Sequence, residues 1–184
     1  SGPALDDVLT SIYPEGGGGG GAKETYELAA YFYAKHCKMP KAKKPMIFFT
    51  GDEGFYTKVN ANHVKKHIGD SLGSDLKSTD VFKELTTKFD TYIFRKHYGG
   101  SDEQIKKQWK GVLGDEKVLS IDYPERIVDC IIGVIAASTD SFEQYSKLLS
   151  KHQTPEQVSQ VMKTLRRIGR SQIKELKSDK GVPI

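Results

Sequence analysis

The chain has 184 residues, of which 37% are hydrophobic and 10% aromatic, enough to bury one full core but too few for a second independent domain. No apolar run approaches the roughly 20 residues that span a bilayer, and residues 1–20 lack the charged and apolar regions of a secretory signal. The 28 basic residues exceed the 24 acidic ones and give a formal net charge of +4, but the lysines are scattered, which argues against a nucleic-acid partner.

In chain order, the first feature is a run of six glycines, Gly16 to Gly21. Ordering such a run costs backbone entropy, so it suits unusual φ/ψ or close approach to a ligand; otherwise it is a linker. Tyr26, Ala29, Ala30, Tyr33 and Cys37 then recur at helical spacing, which predicts an amphipathic helix over 23–38, stopped before Pro40. After the basic turn Lys41–Lys44, the unbroken apolar run MIFFT at 46–50 predicts a strand covered on both faces. It leads into Gly51-Asp52-Glu53-Gly54. Helices are expected over 60–68 and 80–89, and an aromatic strand over 91–98. Gly99-Gly100 ends that strand, and Ser101 is placed to cap a helix over 102–113. VLSID at 118–122 is a third short strand. Helices fill most of the remainder, beginning with the apolar IVDCIIGVIAAS segment at 127–138.

Strands alternating with helices imply right-handed crossovers and a parallel sheet with helices on both faces, a three-layer, Rossmann-like α/β fold with a helical C-terminus. Residues 46–50, 91–96 and 118–121 are expected as parallel neighbours in that order. In such folds ligands bind at the carboxyl ends of the strands. Asp52 and Glu53 end the first strand, and Glu24 and Thr25 stand at the start of the helix after the glycines. Together they offer hard oxygen ligands suited to Mg²⁺, Mn²⁺ or Ca²⁺. The same residues also read as structural, with Glu24 complementing the helix dipole and Asp52 capping the next segment. A Walker-type phosphate loop fails here, because Ala22 separates Gly21 from Lys23 and Glu24 separates Lys23 from Thr25. A dinucleotide G-x-G-x-x-G is matched trivially by any six-glycine run.

GGGGGGAKETYELA, a helix, and then PMIFFTGDEG resemble the middle of a von Willebrand factor A-like domain. In that family a glycine-rich loop presents a hydroxyl or acidic side chain, and the next strand ends in an aspartate at a metal-ion-dependent adhesion site. The resemblance covers roughly residues 8–136 and leaves 137–184 as a helical extension packed on that domain. It implies a protein-interaction module that engages a protein partner, with a divalent cation at the carboxyl edge of the sheet. Its D-x-S-x-S strand occurs nowhere in the chain, and Asp70-Ser71-Leu72-Gly73-Ser74 places its serines differently. Either the missing strands lie in another part of the protein, or this half closes on itself or on a partner, including self-association that completes the sheet.

Other motifs offer less. His63 and His67 are four apart but lack the glutamate of H-E-x-x-H, and read as an exposed helical pair. No serine lies in a G-x-S-x-G elbow. Cys37 and Cys130 have no CxxC partner and read as buried free thiols in a reducing compartment, so the expected location is cytosolic. Trp109, beside Lys106, Lys107 and Lys110, is expected in the core with the lysines as its solvated rim. No catalytic residue stands out. The competing functional class is an α/β enzyme or nucleotide binder that uses the glycine loop for phosphate.

Overall fold

The computed structural model describes residues 23–179. Two short pairings frame the first helix. Lys23–Glu24 (β1) pairs in parallel with Gly54–Phe55 (β3), after which α1 runs from Tyr26 to His36. The helix expected over 23–38 is therefore shorter at both ends. Lys23 and Glu24 leave it because their backbone is taken by β3, so Glu24 projects from a strand rather than a helical turn. At the other end Cys37 becomes the extended C-cap, its N–H donating to Tyr33 O.

The main sheet has three parallel strands in the order Met46–Gly51 (β2), Asp90–Arg95 (β6), Val118–Ser120 (β7). Both the order and the direction match the sequence expectation. β6 stops at Arg95, short of the expected 98, because Arg95 and Tyr98 turn toward Asp102. β7 ends two residues early, at Ser120. Register runs Met46↔Asp90 to Gly51↔Arg95, then Ile93↔Val118 to Arg95↔Ser120. Lys58–Val59 (β4) and Leu76–Lys77 (β5) form a small antiparallel pair.

Alternation along the strands sends side chains to two separate cores. On one face Phe49 and Ile93 join Ala30, Tyr31 and Ala34 of α1, Val81, Phe82 and Leu85 of α3 (Ser78–Lys88), and Ile105, Trp109 and Leu113 of α4 (Asp102–Leu113). On the other, Phe94 and Leu119 meet α5 (Ile127–Ser138), α6 (Phe142–His152) and α7 (Pro155–Asp179) through Cys130, Val134, Tyr145, Leu149, Val161 and Leu165. Phe48 and Tyr92 stack against this second core. The unbroken apolar run of β2 follows from this two-sided cover.

Local chemistry fixes the helix starts. Asn60 caps α2 (Ala61–His67), its Oδ1 accepting from Asn62 N at 2.9 Å and His63 N at 3.1 Å. Ser101, expected as a cap, makes no side-chain cap bond; Asp102 instead accepts from Tyr98 N at 3.0 Å. Cys37 and Cys130 are both free, Cys130 buried and Cys37 half-buried. His63 and His67 are exposed and meet edge to face. Among the described residues no helix is long and apolar enough to cross a membrane.

Candidate functional site

The loop from Gly51 to Gly54 leaves the carboxyl end of β2, and four side chains hold it and the residues that flank it. Trp109, fully buried, donates from Nε1 to Glu53 O at 2.9 Å. Its ring packs against Tyr26, Phe49, Phe55 and Phe82, with centroids 5.0–5.8 Å away. Gln108, one residue earlier on α4, donates from Nε2 to Phe55 O at 2.7 Å and accepts from Phe55 N at 3.2 Å, acting as a strand partner for β3. Arg95, buried at the end of β6, donates from Nη2 to Asp52 O at 2.8 Å and to Asp102 Oδ1 at 3.0 Å. The Tyr26 hydroxyl lies against Gly51, where any Cβ would overlap it, and donates to Thr50 O at 3.4 Å. Glycine is required there by that close approach.

These braces present the carboxylates of Asp52 and Glu53 beside Glu24. Loss of solvent pushes the Tyr26 phenol up to about 12, and the charges of Asp52, Glu24 and Glu53 add to the shift. The Glu53 carboxyl is likewise raised, first by loss of solvent, then by the charges of Glu24 and Asp52 and by a side-chain hydrogen bond with Glu24. Its Oε2 is shielded and has no hydrogen-bond partner. Three of the four residues singled out from the sequence therefore share one electrostatic neighbourhood. Thr25 stands apart, lining a cavity of about 290 Å³ on the α1 side with Glu27, Tyr56, His63 and Asp75. Gly16 to Gly21, expected to deliver Glu24 and Thr25 to this edge, lie outside the described residues.

A shielded, unpartnered carboxylate oxygen beside two further carboxylates has the chemistry of a hard-cation site. As they stand, though, no three His, Cys, Asp or Glu side chains among the described residues are arranged to hold a metal ion. Toward the α5 face the same sheet edge opens into a cavity of about 440 Å³, lined by Thr50, Asp52, Lys96, Ile121, Ile127 and Ile131.

Sequence reasoning did not find Arg95, Gln108 or Tyr26 as bracing residues. Arg95 lay inside an aromatic strand pattern, and an arginine at a strand's end could have signalled a partner at the carboxyl edge.

Glu27 was missed as well. It is buried at the start of α1 and accepts from Tyr56 N through Oε2 at 3.1 Å. Burial raises its carboxyl from the ordinary 4.5 to about 7, against the pull of backbone hydrogen bonds from its own residue and from Tyr56. The folded state thus holds a proton that the unfolded chain has released, and stability falls as pH rises through the window from 4.5 to about 7. Glu27→Gln keeps an acceptor oxygen for Tyr56 and removes the titration. It is expected to raise the melting temperature more above pH 7 than at pH 4.5, and an equal shift at both would refute the assignment.

What the fold and this cluster define is a layered α/β protein with an acidic rim at the carboxyl edge of its parallel sheet. The chain matches none of the protein-family models, curated proteins or solved structures compared with it.

Proposed function

We propose that the chain is a protein-interaction module of the von Willebrand factor A-like type, which engages a protein partner at the carboxyl edge through a divalent cation. The observation that carries this reading is the convergence of Glu24, Asp52 and Glu53 on Tyr26, with Glu53 Oε2 shielded and unpartnered. Mg²⁺ prefers six oxygen ligands, and Mn²⁺ and Ca²⁺ also favour oxygen. The three carboxylates, with Thr25 if it turns toward them, supply too few. Water or a partner's carboxylate therefore completes the shell, and binding by this chain alone is weak. The chemistry is recognition: the cation offsets most of the negative charge of an acidic rim and keeps coordination positions open for an acidic side chain of the partner.

The alternative, a nucleotide- or phosphate-binding enzyme, has in its favour the cavity of about 440 Å³ with Lys96 in its wall. Against it stand the three carboxylates, which repel phosphate.

Thermal unfolding tests both, because a ligand that binds only the folded state raises the melting temperature. Millimolar Mg²⁺ or Mn²⁺ is expected to raise it for the wild type and not for Asp52→Ala. That variant should otherwise fold normally, since Arg95 grips the main-chain carbonyl of Asp52 and not its side chain. No rise, or an equal rise in the variant, overturns the cation reading, and a rise with metal-free ATP favours the alternative.

A further inference from the structure

β2 carries the unbroken apolar run Met46 to Phe49, yet among the described residues it hydrogen-bonds to β6 alone. Its phase is fixed: Asp90 N donates to Pro45 O and Lys96 N donates to Gly51 O. Odd-numbered residues of β2 therefore turn their backbone groups toward β6, and Met46, Phe48 and Thr50 turn theirs to the outer edge. Pro45, which lacks an N–H, faces β6, so nothing in the sequence blunts the outer edge as edge prolines do.

The helix beside that edge is also uncovered. Ser138 of α5 touches Met46, its Oγ 3.6 Å from Sδ, and Ile131 shares a cavity wall with Thr50. From there α5 exposes Val128, Ile132 and Ile135, at 63%, 47% and 40%. Thr50 O accepts from the Tyr26 hydroxyl at 3.4 Å, but among the described residues this outer row has no strand partner, and with an apolar helix stripe beside it the edge suits an occupant that offers a strand and an apolar helix side by side.

The charges at the two ends of β2 select which occupant. Lys41, Lys43 and Lys44 precede the strand, and Asp52 and Glu53 follow it. An antiparallel copy of the same strand reverses that order and sets opposite charges against each other at both ends. We propose that two copies of this chain pair antiparallel along β2 about a two-fold axis at Phe48. That register sets Phe48 against Phe48, Met46 against Thr50, and Lys44 against Asp52 of the second copy. The Phe48 pair and the two Met46–Thr50 pairs fall on residues whose backbone groups face outward, so within the strand the alignment that matches the charges also satisfies the hydrogen-bond phase, while Lys44 and Asp52 lie just beyond the strand ends and meet through their side chains. The interface is isologous: the α5 stripe of each copy flanks the joined edge, and two three-stranded sheets become one of six strands. This inference does not rest on the cation reading, because it uses only the charges of the carboxylates.

Sedimentation velocity of the full 184-residue chain, in EDTA to remove any metal contribution, tests it. The wild type is expected to be a dimer at micromolar concentration. The double variant Val128→Lys/Ile132→Lys, at positions already exposed to solvent, should be monomeric with an unchanged circular dichroism spectrum. Lys44→Glu should weaken association about tenfold, and adding Asp52→Lys should restore most of that loss, since each dimer contains the pair twice. A monomeric wild type overturns the proposal. A dimer that survives both the helix variant and Lys44→Glu overturns it equally.

Discussion

Trp109→Ala is expected to lower the free energy of unfolding by about 3–5 kcal/mol, read as a drop in the urea midpoint at constant slope. Trp109 is fully buried, and its ring touches aromatic side chains from α1, β2, β3 and α3. Removing it opens a cavity that four different elements would have to fill, which close-packed side chains do only in part. It also leaves Glu53 O without the indole donor that anchors the loop. Trp109→Phe should cost less, since it retains much of the ring and loses only the N–H and the second ring. If the alanine variant loses less than about 1 kcal/mol, Trp109 is not the keystone of this core.

Arg95→Met is expected to destabilise the fold by about 3–5 kcal/mol, because it breaks a buried pair and leaves one charge uncompensated. Arg95 is 3% exposed and Asp102 15%. Loss of solvent pushes the Asp102 carboxyl up, but the Tyr98 N–H and the Arg95 guanidinium outweigh it and hold it below the usual range. A folded-state pKa below the unfolded one adds stability at neutral pH that is lost as pH falls through the folded value. The cost of Arg95→Met should therefore shrink in acid, where Asp102 is protonated in both proteins. Arg95 also grips Asp52 O, so the variant should weaken any ligand of the carboxyl edge in the same thermal assay. A penalty independent of pH would separate the stability of this corner from its charge pair.

Much of the architecture was legible because it is local. The 3.6-residue period of Val81, Phe82 and Leu85, the unbroken MIFFT run and the break at Gly99-Gly100 each act within a few residues, and the corresponding elements form close to where they were expected. Boundaries shifted where a distant partner intervened. β3 drew Lys23 and Glu24 out of the helix, and Asp102 ended β6 at Arg95. The two-residue strands β3, β4 and β5 gave no signal, since two residues show no periodicity.

By itself, then, the sequence determined that strands alternate with helices, that three apolar strands run parallel in chain order, and that acidic residues gather after the first of them. Periodicity, right-handed crossovers and composition suffice for that. Only the tertiary structure decided how those residues are held. Trp109, Gln108 and Arg95 lie 56, 53 and 43 residues from the backbone atoms they bind, and no local pattern encodes a contact across such a separation. Only the assembled sheet, likewise, left the outer edge of β2 without a strand partner among the described residues and set it beside the bare stripe of α5. Which strand lies at an edge is a property of the pairing order, and a strand's own residues cannot specify it.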